Sequence, residues 1–118
     1  MLAIDLDGES FEAGDAVRGR VRVVEGGRSR GLHVELRFCE HSNGYRTVAH
    51  TVAPPEPLHR GDLPHGATID FVLGLPADAP PGFSGPHGEL YWEVHARSDE
   101  FGADTHEARP ISVRSRNR

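Results

Sequence analysis

The chain has 118 residues, of which 13 are basic and 18 acidic, so its formal net charge at pH 7 is −5. This acidic balance argues against nucleic acid as a partner, because sequence-independent binding of nucleic acid needs a strongly basic surface. No apolar run approaches the ~20 residues that a helix needs to cross a membrane, so no membrane span is expected.

Seven segments alternate apolar and polar side chains, and this period of two predicts strands with one buried and one solvated face. Tyr45–Val52 has the weakest alternation and is predicted to lie at a sheet edge. Pro110 has no amide hydrogen, so the last strand should begin near it or lie at an edge. In chain order the predicted strands are Leu2–Leu6, Ala16–Glu25, Leu32–Glu40, Tyr45–Val52, Thr68–Leu75, Glu89–Arg97 and Glu107–Arg114.

Seven short strands separated by turn signals predict an all-β fold, an immunoglobulin-like β-sandwich of two antiparallel sheets. The length predicts a single domain over residues 2–114, followed by a frayed C-terminal tail over residues 115–118. Large apolar side chains whose phases agree should form the centre of the core. These are Leu36, Phe38, Phe71, Trp92 and Val94.

Cys39 is the only cysteine, so no internal disulfide can form, and a reducing compartment is favoured. The Met1–Asp5 segment lacks the basic and apolar regions of a signal peptide. We therefore expect a cytoplasmic protein. All basic residues are arginine, which together with much Gly, Ala and Pro is typical of a GC-rich bacterial genome.

The order of the motifs along the chain goes further than the fold class. Phe11–Val21 contains an aromatic residue, a Gly-Asp turn and a Val-x-Gly-x-Val strand, and Asp70–Pro76 is an alternating strand that ends in Leu-Pro. Leu90–Ala96 alternates around Trp92. Together with Leu32–Phe38, these segments resemble the amino-terminal domain of the arrestin family in the same order and over nearly the whole chain.

The resemblance implies an arrestin-like β-sandwich that serves as an adaptor or scaffold, without catalytic residues or a cofactor. The wider family includes bacterial sporulation-control proteins and a retromer subunit. Arrestins carry two sandwich domains, whereas this chain has room for one. The polar core of the receptor-binding members has no counterpart here, so recognition of phosphorylated receptors is not implied.

The arrestin template places Ala16–Glu25 and Leu32–Glu40 in different sheets. Ala16–Glu25 then pairs with Thr68–Leu75, and Leu32–Glu40 pairs antiparallel with Glu89–Arg97. Matching of the apolar faces sets both registers. The predicted cross-strand neighbours are Gly19 with Phe71, Phe38 with Trp92, Leu36 with Val94, Val34 with Ala96, Arg37 with Glu93 and Glu35 with His95.

Edge strands present unpaired N–H and C=O groups, to which another strand can add unless charge or covering protects them. In Tyr45–Val52 only Arg46 is charged. We therefore expect a protein partner or a homodimer to bind through this edge and the adjoining outer row of side chains. The candidate partner-binding residues are His33, Glu35, Arg37, Arg46, Thr47, Ala49, Thr51, Tyr91, Glu93 and His95.

Two alternative functions stay open from the sequence. A metal-binding or small enzyme domain could use surface histidines and Cys39, although His33 and Cys39 lie six residues apart on an extended strand, ~20 Å. A structural domain could instead complete a multi-chain assembly.

Three local motifs suggest other binding or catalytic sites, but for each of them an ordinary loop is the favoured interpretation. The acidic residues between Asp5 and Asp15 could hold calcium, but Ser10 stands where an EF-hand requires Gly. Gly26–Gly31 could bind an anion with its amides. Gly82–Gly85 begins like a nucleophile elbow but lacks its final Gly.

Overall fold

The structure, a computed structural model, describes residues 1–116 and forms ten strands over that range. All seven predicted strands are present, and each is at least five residues long. The ten are β1 (Leu2–Leu6), β2 (Ser10–Glu12), β3 (Ala16–Val23), β4 (Ser29–Ser42), β5 (Tyr45–Val52), β6 (His59–Arg60), β7 (Thr68–Gly74), β8 (Phe83–Gly85), β9 (Gly88–Glu100) and β10 (Thr105–Arg114).

Three of these strands fall in segments that the sequence predicts as loops. β2, β6 and β8 have two or three residues each, too few for a period-two pattern to show. β10 begins at Thr105, five residues before Pro110. At Pro110 it pairs only with β9, because β2 pairs with β10 only over Ser112–Arg114. The missing amide hydrogen of Pro110 is thus tolerated at a position with one strand neighbour.

The strands form two sheets. The small sheet has the order β1-β3-β7, and the large sheet has the order β2-β10-β9-β4-β5, with β6 added to β4 and β8 to β9. β3 and β4 therefore lie in different sheets, as predicted. The predicted tail falls partly outside the described residues, and within them Arg116 donates from Nε to the carbonyl oxygen of Ala13 at 3.0 Å.

The predicted register of the central pair, β4 with β9, is confirmed at every position. A slip by one residue would carry the apolar side chains to the other face, so the register follows from which face is buried. The observed neighbours are Phe38 with Trp92, Leu36 with Val94, Val34 with Ala96, Arg37 with Glu93 and Glu35 with His95.

Gly19 on β3 lies opposite Phe71 on β7, again as predicted. A Cβ atom at Gly19 would stand 2.3 Å from the carbonyl oxygen of Asp5 and 3.0 Å from Cζ of Phe71. The absent side chain therefore lets β1 and the aromatic ring approach this strand.

The core lies between the two sheets and contains all five predicted central residues. Trp92 is fully buried, its ring centroid lies 5.2 Å from that of Phe38, and its Nε1 donates to the carbonyl oxygen of Pro80 at 2.8 Å. A buried indole needs such an acceptor. Within residues 1–116, no helix is long and apolar enough to cross a membrane.

Candidate binding surface

β5 is the predicted edge of the large sheet, and the structure confirms it. Seven of its eight residues are exposed, and Val52 is half-buried. The strand carries a bulge: His50 pairs with Phe38 and Val48 pairs with Cys39, so Ala49 has no partner on β4. A bulge changes which side chains share a face.

The bulge separates the predicted β5 residues. Arg46 lies opposite His41 and Thr51 opposite Arg37, so both belong to the outer row of the large sheet, whereas Thr47 lies opposite Glu40 on the other face. The structure therefore brings together on one face all the candidate residues except Thr47 and the bulged Ala49. This outer row contains His33, Glu35 and Arg37 on β4, Arg46 and Thr51 on β5, and Tyr91, Glu93 and His95 on β9.

Arg46 is the centre of this outer row. Its Nε donates to the hydroxyl oxygen of Tyr91 at 2.9 Å, and its Nη2 donates to the Glu93 carboxylate and lies 3.3 Å from Sγ of Cys39. The hydrogen bonds to Tyr91 and then to Glu93 raise the pKa of Arg46 above its ordinary value. Three strands are thereby joined by one side chain.

The sequence predicts a solvated outer face for the large sheet, and this is wrong for two residues of the outer row and for Cys39 beside them. Glu93 is 4% exposed, His95 is 7% exposed, and Cys39 is fully buried. Arg46 contacts Cys39 and Glu93 and is itself bonded to the Tyr91 hydroxyl. Burial, and then the charge of Glu93, raise the pKa of the Cys39 thiol, so this cysteine is a poor metal ligand or nucleophile.

His95 contacts a histidine that the sequence analysis did not single out. Its Nε2 lies 3.1 Å from Nδ1 of His106 on β10. Burial, and then the positive charge of Arg37, lower the pKa of His95 to about 4. His106 pairs with Arg97 and His95 with Ala108, so the two imidazoles are diagonal neighbours. The sequence pattern of either strand alone does not reveal this histidine pair, because the contact depends on the register between β9 and β10.

The two histidines line an open hollow of about 450 Å³ beside Arg37, Arg46 and Glu93. Arg37 donates from Nε to the Glu35 carboxylate at 2.6 Å. Both arginines are thus held by carboxylates. The result is a polar and nearly charge-balanced surface next to a free strand edge.

Backbone amides of the glycine-rich segment that the sequence suggested as an anion site donate hydrogen bonds within the protein. The amides of Gly27, Ser29 and Gly31 donate to Leu63, Asp62 and the Ser29 hydroxyl, respectively, which fits the favoured interpretation of Gly26–Gly31 as an ordinary connecting loop.

Acidic side chains of the first loop and the Cys39 thiol also contact other groups of the protein, so these contacts explain their positions without a bound ion. Asp5 pairs with Arg22 at 2.5 Å and Asp7 with Arg20 at 2.6 Å. Cys39 contacts Arg46, and no group of three or more His, Cys, Asp or Glu among residues 1–116 is arranged to hold a metal ion.

Comparison with known proteins gives a structural match. No protein-family model matches the chain, and no curated protein matches it by sequence. The crystal structure of Spo0M, a sporulation control protein from Bacillus subtilis, matches with a TM-score of 0.71 and 18% sequence identity. The match covers 95% of this chain and 48% of that of Spo0M, so the chain spans about half the length of Spo0M.

This similarity defines the fold. The chain is an all-β protein of two sheets with an arrestin-like β-sandwich fold. The arrestin resemblance of the sequence is therefore confirmed at the level of the fold.

Proposed function

We propose that this chain is a non-catalytic, arrestin-like protein-interaction module that acts as an adaptor or scaffold. It binds a protein partner, or a second copy of itself, through the edge of β5 and the outer row beside it. The observation that carries this proposal is the exposed β5 edge, which borders a row of polar side chains held in fixed positions.

The β5 edge is open to strand addition. β5 pairs with β4 along one side only, so its other side presents backbone donors and acceptors. Arg46 is the one charge expected to protect this edge, but its guanidinium is bonded to Tyr91 and Glu93 over the sheet face. Within the described residues, the bulge at Ala49 is the device that still interrupts the edge.

The outer-row residues divide into two roles. Glu93 and His95 are buried, so they hold their neighbours in place rather than contact a partner. The Arg46 side chain in the outer row is 42% exposed, and Tyr45, which lies opposite Ser42 on the other face of β5, is 78% exposed. Tyr and Arg are enriched among the residues that dominate binding energy at protein interfaces, and these two are positioned by the sheet.

One observation favours the alternative of a structural domain in a multi-chain assembly. The chain matches about half the length of Spo0M, so its fold is compatible with a second domain supplied elsewhere. In that case the outer row would meet that domain. The metal-binding or enzymatic alternative is a separate proposal, and stoichiometric metal or turnover in the purified chain would favour it. A cytoplasmic location stays a prediction that rests on the single cysteine.

Ala49→Pro tests the edge directly. Ala49 has no register partner on β4, and proline there removes an amide hydrogen from β5 and restrains the strand. The matched control is Ala77→Pro. Ala77 is the second residue of a turn closed by the bond from the Ala79 amide to the Pro76 carbonyl, a position that favours proline.

The readouts are sedimentation of the purified chain and the proteins recovered with it from its own cell. We expect Ala49→Pro to abolish self-association or lose the recovered partner, while Ala77→Pro behaves as the unmodified chain. A monomer that recovers the same proteins in all three forms contradicts edge binding.

A further inference from the structure

His95 on β9 and His106 on β10 form the closest pair of metal-ligand side chains in the polar hollow. Nε2 of His95 lies 3.1 Å from Nδ1 of His106, and the ring centroids are 5.1 Å apart. His95 is buried and His106 is exposed. As neutral imidazoles, they satisfy this contact when one ring donates a hydrogen bond to the other.

The spacing of these two nitrogen atoms also suits a shared metal ion. With metal–nitrogen bonds of ~2.0–2.1 Å, two ligands of one ion stand ~2.9 Å apart at a right angle and ~3.3 Å apart at the tetrahedral angle. The observed separation of 3.1 Å lies between these values. An ion would replace the hydrogen bond when both rings turn to direct these two nitrogen atoms at one point.

Charges around the pair are compatible with a cation. Arg37 is held by Glu35, and Arg46 is held by Glu93. Glu107 lines the same hollow and adds a negative charge. The three carboxylates therefore offset part of the positive charge of the two arginines.

We propose that His95 and His106 form a binding site for a divalent ion that prefers imidazole, such as Zn²⁺, Ni²⁺ or Cu²⁺. The hollow of about 450 Å³ leaves room for water to complete the coordination. Because residues 1–116 contain no group of three or more suitable ligands, the chain supplies two ligands, and the ion exchanges with solvent. This inference does not depend on the proposed interaction function.

The test is titration of the full chain with ZnCl₂, NiCl₂ or CuCl₂, followed by calorimetry and by imidazole ¹⁵N resonances. We expect one ion per chain, with Cu²⁺ bound most tightly in keeping with the general order of divalent affinities. The resonances of Nε2 of His95 and Nδ1 of His106 should shift or broaden, and the other imidazoles should not. This assignment in the unmodified chain needs no substitution.

His106→Gln is the informative variant, because His106 is exposed and its replacement leaves the core intact. Loss of even an outer-shell partner weakens metal sites about 10- to 100-fold, so loss of one of two ligands should weaken binding at least about tenfold. His87→Gln, at an exposed histidine between β8 and β9, is the matched control and should leave affinity unchanged. Equal affinities in both variants, or shifts confined to other histidines, overturn the site.

Discussion

Arg46 on the edge strand β5 binds the buried carboxylate of Glu93 on β9, 47 residues away and across the intervening strand β4. The pair fixes the exposed edge to the centre of the large sheet. The pair also holds the Arg46 guanidinium, the only permanent charge on β5, over the face of the sheet and away from the strand edge. The stability of the large sheet and the exposure of its β5 edge are therefore coupled through one guanidinium.

Arg46→Ala should destabilise the protein through the carboxylate that it leaves behind. Removal of one partner from a fully buried pair costs ~3–5 kcal/mol, and we expect ~1–3 kcal/mol here because the Arg46 side chain is half exposed. Urea unfolding followed by Trp92 fluorescence measures the change.

The control for Arg46→Ala is Arg60→Ala, which removes an exposed partner of Glu56. That pair should contribute less than ~1 kcal/mol. The double variant Arg46→Ala with Glu93→Gln should regain part of the loss, since the uncompensated charge is gone. Equal, small losses from both arginine substitutions would show that Glu93 does not need Arg46.

Gly19→Ala should destabilise the small sheet, because the added Cβ would stand 2.3 Å from the backbone oxygen of Asp5. Backbone cannot move aside as a flexible side chain can, so the cost should reach or exceed the ~1–3 kcal/mol typical of overpacking. Gly74→Ala on the paired strand β7 is the control, since no atom lies within 4 Å of its added Cβ. A thermal melt of Gly19→Ala that matches that of Gly74→Ala would contradict the close approach of β1 to β3.

Stability should fall as the pH is lowered from about 6.5 to 4. The pKa of His95 drops from 6.5 to about 4 on folding, so in this window the unfolded chain binds a proton that the folded chain does not. Since one pKa unit corresponds to ~1.4 kcal/mol, the loss is at most about 3.5 kcal/mol. The charged groups facing His95 are Glu35, Arg37 and Arg46, with His106 as its titratable neighbour.

Urea midpoints across this pH range measure the effect, and His95→Gln should flatten the slope. His87→Gln should retain it. The pKa values of Asp5 and Asp104 are lowered, by Arg22 and by the Glu100 amide respectively, so their stabilisation is lost only below their ordinary value of 3.8. An NMR titration that places the pKa of His95 near 6.5 would refute the explanation.

Leu36→Ala should cost ~2–5 kcal/mol, because Leu36 is fully buried beside Val94 and its removal leaves a cavity. This loss is a large part of the stability of an ordinary domain. Val72→Ala on β7 serves as the control, since Val72 is exposed and its truncation should change stability by less than ~0.5 kcal/mol. Calorimetric melts that are equally cooperative and equally stable would exclude Leu36 from the core.

The long strands and their register could be predicted from the sequence, because the alternation of apolar and polar residues shows which side of each strand is buried. The apolar phases of Leu36, Phe38, Trp92 and Val94 allow only shifts by even numbers of residues, and the arrestin template selects one of them. The short strands could not be predicted, because pairing by two or three residues depends on neighbours distant in the chain.

The candidate surface was only partly predictable for a similar reason. Alternation places Glu93 and His95 on the outer face, but it does not show that Arg46 and His106 contact them there. The bulge at Ala49 shifts the phase of β5, so Thr51 lies on the same face as Arg46 and on the opposite face from Thr47. Contacts between side chains of different strands, rather than the pattern within one strand, decide the geometry of this surface.

Amide hydrogen exchange of β5 tests the central claim most directly. The isolated, dilute chain should exchange rapidly on the exposed side of Tyr45–Val52, because those amides have no partner strand. On addition of the recovered partner, or at concentrations where the chain self-associates, the account predicts that β5 amides become protected while those of β7, one of the two edge strands of the small sheet, do not. Protection confined to β7 or to another surface, with β5 unchanged in the complex, would contradict it.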